Sequence, residues 1–148
     1  MHIMPRAMCG GVRYSHQGQD VHWYFPSPAA VLPVRTRSGE VALLPWGRRE
    51  GEPGALPLGG WARLDSIRAG RWDRWSPTPI KISVQGFMEK DREGRSHWYD
   101  LPQGQWIQGL LARAGGEQRV YVVTVAPPFE DAPHDRWPRI VGDKQADV

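Results

Sequence analysis

The stretch Trp106-Ile107-Gln108-Gly109-Leu110-Leu111-Ala112-Arg113-Ala114-Gly115-Gly116-Glu117-Gln118-Arg119-Val120-Tyr121-Val122-Val123-Thr124-Val125 decides the fold. Its two ends, Trp106–Ala112 and Arg119–Val125, are apolar runs rich in β-branched and aromatic residues, and Gly115-Gly116 lies between them. Such runs around a glycine pair read as a β-hairpin. Shorter runs of the same kind occur at Val31–Val34, Val41–Leu44, Ile80–Val84 and Ser96–Asp100, bounded by turn signals such as Ser38-Gly39, Glu93-Gly94 and Pro102-Gln103-Gly104. With 17 Gly and 14 Pro spread through the chain, long helices are scarce. The expected helices are short, over Leu64–Trp75 and Phe129–Pro133, and the Gly, Pro and Glu of Arg48–Gly60 read as a surface loop. Closely spaced strands with few helices predict an α+β domain that is mostly β, closed or half-closed into a barrel.

The 148 residues suit one domain with a single core. No apolar run reaches the ~20 residues that span a bilayer, and no apolar secretory segment opens the chain, so no membrane partner and an intracellular, cytoplasmic location are expected. A single cysteine makes neither an internal disulfide nor a multi-cysteine zinc site. No metal or cofactor pattern is present: His16 and His22 lie far from His134 in sequence, and there is no phosphate-cradling glycine loop. Nothing in the sequence calls for an oligomer, and a monomer is expected.

The net charge is only +3, yet sixteen of the nineteen basic residues are arginine and there are eight tryptophans. Arginine forks onto phosphates and indoles stack on unpaired bases, so the composition permits a single-stranded nucleic acid partner. A G- and C-rich genome gives the same bias without one.

Four places carry candidate chemistry. Cys9 follows Met8 in Met8-Cys9-Gly10-Gly11. As a first residue it would hold an α-amine and a thiol on adjacent carbons, groups that titrate near about 7.7–8.0 and about 8.5. That pair condenses with an aldehyde to a five-membered thiazolidine; as an internal residue Cys9 is a small buried hydrophobe. His134-Asp135-Arg136-Trp137-Pro138, preceded by Pro133, is held stiff by proline on both sides, which suits an acid–base histidine and equally a surface loop. Glu89, in Gly86-Phe87-Met88-Glu89, either faces a pocket or opens the charged tip Glu89–Glu93, and the local sequence favours the tip. Trp61-Ala62-Arg63-Leu64-Asp65-Ser66 leads into Arg68, Arg71 and Arg74, interleaved with Trp72 and Trp75. These arginines would line one side of a short helix, facing a nucleic acid or simply water.

In this order the pieces resemble the SRAP family, the SOS-response-associated peptidases or abasic-site-processing proteins. The family's Met-Cys-Gly start matches Met8-Cys9-Gly10, and its later segments match Tyr24–Pro28 with Leu32–Arg35, Leu43-Leu44-Pro45-Trp46-Gly47, Trp61–Ser66, Gly86–Lys90, Gln108–Leu111 and His134–Pro138. The resemblance spans roughly residues 8–141. It implies a β-rich barrel-like single domain over residues 9–148, with residues 1–8 a leader that is cleaved off or lies before a true start at Met8. It also implies covalent crosslinking to abasic sites in single-stranded DNA, during DNA repair, through an N-terminal Cys9. Glu89 would shuttle protons and His134 would assist the Schiff-base step. Arg63 would bind a phosphate, and Arg13, Trp46, Trp61, Asp65 and Arg136 would complete the DNA-binding set. The chain departs from the family pattern at Trp61, which replaces an asparagine, at Gly11, which replaces an arginine and leaves Arg13 to substitute, and at Asp65, which replaces a glutamate. Two other functions fit the same residues: a non-catalytic single-stranded DNA-binding module, and a cysteine hydrolase using Cys9, His134 and Glu89.

Overall fold

The computed structural model describes residues 9–132 and 135–142, with Cys9 described by its backbone. The protein is mostly β with very short helices. The first sheet holds β1 (Cys9–His16), β2 (Gln19–Tyr24), β7 (Gly86–Lys90) and β8 (Ser96–Asp100) in the order β2-β1-β7-β8, all antiparallel. The second runs β11-β10-β9-β6-β3-β4, from β3 (Val31–Arg35), β4 (Val41–Pro45), β6 (Thr78–Ile82), β9 (Gln105–Ala114), β10 (Glu117–Val125) and β11 (Trp137–Pro138). Two short strands flank it: β5 (Trp61–Arg63) pairs in parallel with β10, and β12 (Ile140–Gly142) pairs with β9.

The decisive hairpin forms as its sequence requires. Ala114 faces Glu117 across Gly115-Gly116, and Gly115 takes the φ of 58° that this two-residue turn needs. The long apolar runs of β9 and β10 follow from burial on both faces. Ile107, Leu111, Val120 and Val122 pack toward the first sheet, against Val12, Tyr14 and Phe87. Leu110, Ala112, Tyr121 and Val123 face the other way, onto Leu56, Ala62 and Trp72.

The second sheet curls but does not close into a barrel. Past β4 it is tied to β10 by one isolated bridge, Trp46 to Val120, where Gly47 N donates to Val120 O at 2.8 Å. Gly47 has a φ of 57°, and a Cβ there would overlap the backbone of Gly59. Left-handed strain and the backbone clash each cost ~1–3 kcal/mol. Gly47→Ala is therefore expected to lower the Tm by about 5–10 °C in a thermal melt.

Three expectations are corrected. The span Leu64–Trp75 is not one helix but α1 (Leu64–Arg68) and a 3-10 turn over Asp73–Trp75, with Gly70 at a φ of 81° between them. Arg68, Arg71 and Arg74 therefore do not share one helical face. Phe129–Ala132 is turn rather than helix, and Pro133 lies outside the described residues. Glu89 belongs to β7, and the charged turn begins only at Asp91, whose backbone N–H donates to Arg95 O at 2.9 Å.

Candidate active site

β1 and β7 run antiparallel, with Val12 opposite Phe87 and Arg13 opposite Gly86. A bulge between Cys9 and Gly11 shifts the register so that Cys9 is the partner of Glu89. Side chains alternate along a strand, so Glu89 shares the face of Phe87, which is in the core between the sheets. Glu89 is fully buried, and neither carboxyl oxygen has a hydrogen-bond partner. Burial alone pushes its carboxyl up to about 8 from its ordinary 4.5. The protonated acid is thus the main form at neutral pH. An unpartnered buried carboxyl costs stability, and such a cost is typical of a site kept for chemistry.

On the face of the sheet that Glu89 shares, Phe87 and Tyr99 meet Trp137 in an aromatic cluster. Phe87 stacks on Tyr99 at 5.4 Å between centroids, and Trp137 meets Phe87 at 5.2 Å and Tyr99 at 4.9 Å. The Tyr99 hydroxyl is raised by burial and then by the charge of Glu89. Trp137 pairs with Val125 of β10 and its ring meets Phe87 of β7, so the Asp135–Pro138 end of the proline-flanked segment is drawn to the strand that carries Glu89. His134 itself lies outside the described residues.

Arg63, Asp65 and Arg136 form a second group. Arg63 is opposite Thr124 in the β5–β10 pair and grips Asp65 through Nε at 3.0 Å and Nη2 at 2.8 Å. The Arg63 bond holds Asp65 down to about 2, and Asp65 in turn raises Arg63. Arg136 donates through Nη2 to Thr124 O at 2.7 Å, and burial lowers its guanidinium. A cavity of about 350 Å³ opens here, lined by Asp65, Arg68, Thr124 and Arg136 among others. Asp65, Arg63 and Arg136 are thus neighbours on one surface, a cationic pair around one carboxylate.

Two expected site residues are placed elsewhere. Trp46 is completely buried, its Nε1 donating to Gly60 O at 3.0 Å and its ring against Phe25 and Trp61. No face of it is free to meet a base, and it is corrected to a core residue. Arg13 alternates with the buried Val12 and Tyr14, so it lies on the face of the first sheet opposite to Glu89, where it pairs with Asp100 at 2.9 Å. An arginine at position 11, two residues earlier in the same unbroken register, would share that face. Gly11 itself has no room for one, since a Cβ there would be 3.0 Å from the Tyr24 ring and 3.2 Å from Trp23 O.

Trp61 is half-buried between Phe25 and Trp46, with centroids 4.8 Å and 6.1 Å away, and its Nε1 is buried with no hydrogen-bond partner. Phe25 ties this cluster to β1, because Phe25 N donates to Gly10 O at 3.1 Å. Arg49 was hidden in sequence as part of a surface loop. Its guanidinium lies 4.2 Å over Phe25 and donates to Phe25 O at 2.6 Å and Trp46 O at 2.7 Å, with Nη2 buried and unpartnered. Only the Arg49, Glu52 spacing hinted at it, through the i,i+3 ion pair at 3.5 Å.

Among the described residues no three His, Cys, Asp or Glu side chains are grouped to hold a metal, and no helix is long and apolar enough to cross a membrane. No family model matches the chain, and neither a curated protein nor a solved structure does.

Proposed function

We propose that the protein crosslinks covalently to abasic sites in single-stranded DNA, acting inside the cell as a monomer. The observation that carries this reading is the buried, unpartnered carboxyl of Glu89 at the register position of Cys9. With Cys9 as the first residue, its α-amine attacks C1′ of the opened abasic sugar. Water leaves, an imine forms, and the thiol adds to it to close a thiazolidine. Glu89, protonated at neutral pH, gives its proton to the ring oxygen as the sugar opens, while the C1′ hydroxyl releases its own proton to water and becomes the aldehyde carbonyl. The resulting carboxylate then takes a proton from the Cys9 ammonium. Arg63 and Arg136 supply charge for the flanking phosphates, and His134 assists proton transfer at the sugar.

The test is a denaturing gel of protein beginning at Cys9, mixed with a single-stranded oligonucleotide that carries one abasic site. A shifted band is expected, absent when the same oligonucleotide is intact. A shift only under native conditions would instead assign a non-covalent DNA-binding module, and overturn the crosslinking reading.

A further inference from the structure

β6 is joined to β3 at two register positions only, Val34–Ile82 and Arg35–Lys81. Beyond them the β3–β4 hairpin peels away and leaves a groove of about 710 Å³ between that hairpin and β6–β9. Its floor is apolar, with Ala42, Leu44, Ile80 and Leu111, and its walls carry Arg35, Arg37, Lys81 and Arg113, all exposed. No described carboxylate lies within ion-pair distance of any of these four cations. A second groove, of about 750 Å³, shares Arg35 and continues past Trp106 to the Arg13–Asp100 ion pair. Lys81 stands over the Trp106 ring at 4.1 Å, at the junction of the two.

We infer that these two grooves form one track that holds an intact stretch of single-stranded nucleic acid, away from the surface of Arg63, Asp65 and Arg136. A compact anion needs one cluster of charge. Here Arg35, Arg37, Lys81 and Arg113 are spread over the walls of the first groove, and the second extends from Arg35 past Trp106, which matches an extended ligand with one negative charge per repeat. Arginine forks grip successive phosphates, while the apolar floor and the Trp106 ring accept base or sugar faces. The inference deepens the proposed function by naming where the strand beyond the lesion is held, and it rests on that reading for the identity of the ligand.

The experiment uses the full chain and a lesion-free single-stranded oligonucleotide, with binding followed by fluorescence anisotropy across salt concentrations. Each phosphate neutralised contributes about 0.7 to the slope of log affinity against log salt for single strands. The triple variant Arg35→Ala, Arg37→Ala, Arg113→Ala is expected to lower that slope by about 2 and weaken binding at least about tenfold at low salt. The corresponding triple lysine variant keeps the charge and is expected to keep the slope. An unchanged slope in the alanine variant overturns the track, as does tighter binding of a polyglutamate peptide than of the oligonucleotide. Covalent capture of an abasic oligonucleotide by protein beginning at Cys9, at saturating DNA, is read separately. If capture fails while the alanine variant still loses its slope, the track stands and the crosslinking reading falls.

Discussion

Glu89→Gln is expected to raise the thermal stability at pH 8 and to slow crosslink formation about 100-fold or more, the lower range of what a positioned acid–base group contributes. Both effects come from one side chain whose carboxyl is fully buried and pushed up to about 8. The unfolded chain releases that proton near the ordinary 4.5. Between about 4.5 and about 8 the folded state therefore holds a proton that the unfolded state has lost, and stability falls as pH rises through this window. Above it the loss is complete and the curve is flat. At 1.36 kcal/mol per unit the full cost is on the order of 4–5 kcal/mol. Glutamine keeps the shape without the charge, so its stability curve should be flat across the window and its Tm at pH 8 higher by on the order of 10 °C. Melting curves of both proteins at pH 5 and pH 8 check this. A wild-type curve with no slope in the window would mean that the Glu89 carboxyl is solvated. Crosslinking rates should peak near pH 8, where free amine and carboxylic acid coexist, and the alkaline limb should vanish in Glu89→Gln.

The second large effect is at Cys9. Protein beginning at Cys9 is expected to react, while protein that retains residues 1–8 loses about 100-fold or more, because an amide nitrogen has no lone pair free to form an imine. Cys9→Ser separates the two halves of the chemistry. It keeps the α-amine and lacks the thiol, so it should give an adduct that survives a denaturing gel only after borohydride reduction of the imine. Cys9→Ala should behave in the same way. Equal reactivity of the long and short forms would remove the α-amine from the mechanism and favour a cysteine hydrolase.

The strands that carry the fold were readable where the chain is apolar on both faces, as in Trp106–Val125. The first hairpin was not. Its strand β1 contains Gly10 and Gly11, and its turn is Gln17-Gly18, with φ of 51° and 78°, in place of the Asn-Gly or Asp-Gly that signals such turns. The long helix failed because Gly70 interrupts it, a break that a period-of-three reading of the arginines passed over. Glu89 was obscured by the charges that follow it. The alternation rule held the answer, since Phe87 points into the core and Glu89 is two residues on. Trp46 was misread because its burial depends on Gly60, Phe25 and Trp61, none of them sequence neighbours. The Arg35–Arg37–Arg113 track left no local signal, because its cations are brought together only by β3, β6 and β9.

The proposed chemistry bonds both the α-amine and the thiol of one residue, Cys9, to the abasic sugar. Mass spectrometry of the digested conjugate tests it directly. A single adduct is expected on the peptide that begins with Cys9, formed with loss of one water and unchanged in mass by borohydride, as a closed thiazolidine requires. An adduct on a lysine, or one at Cys9 that gains two hydrogens on reduction, would contradict it.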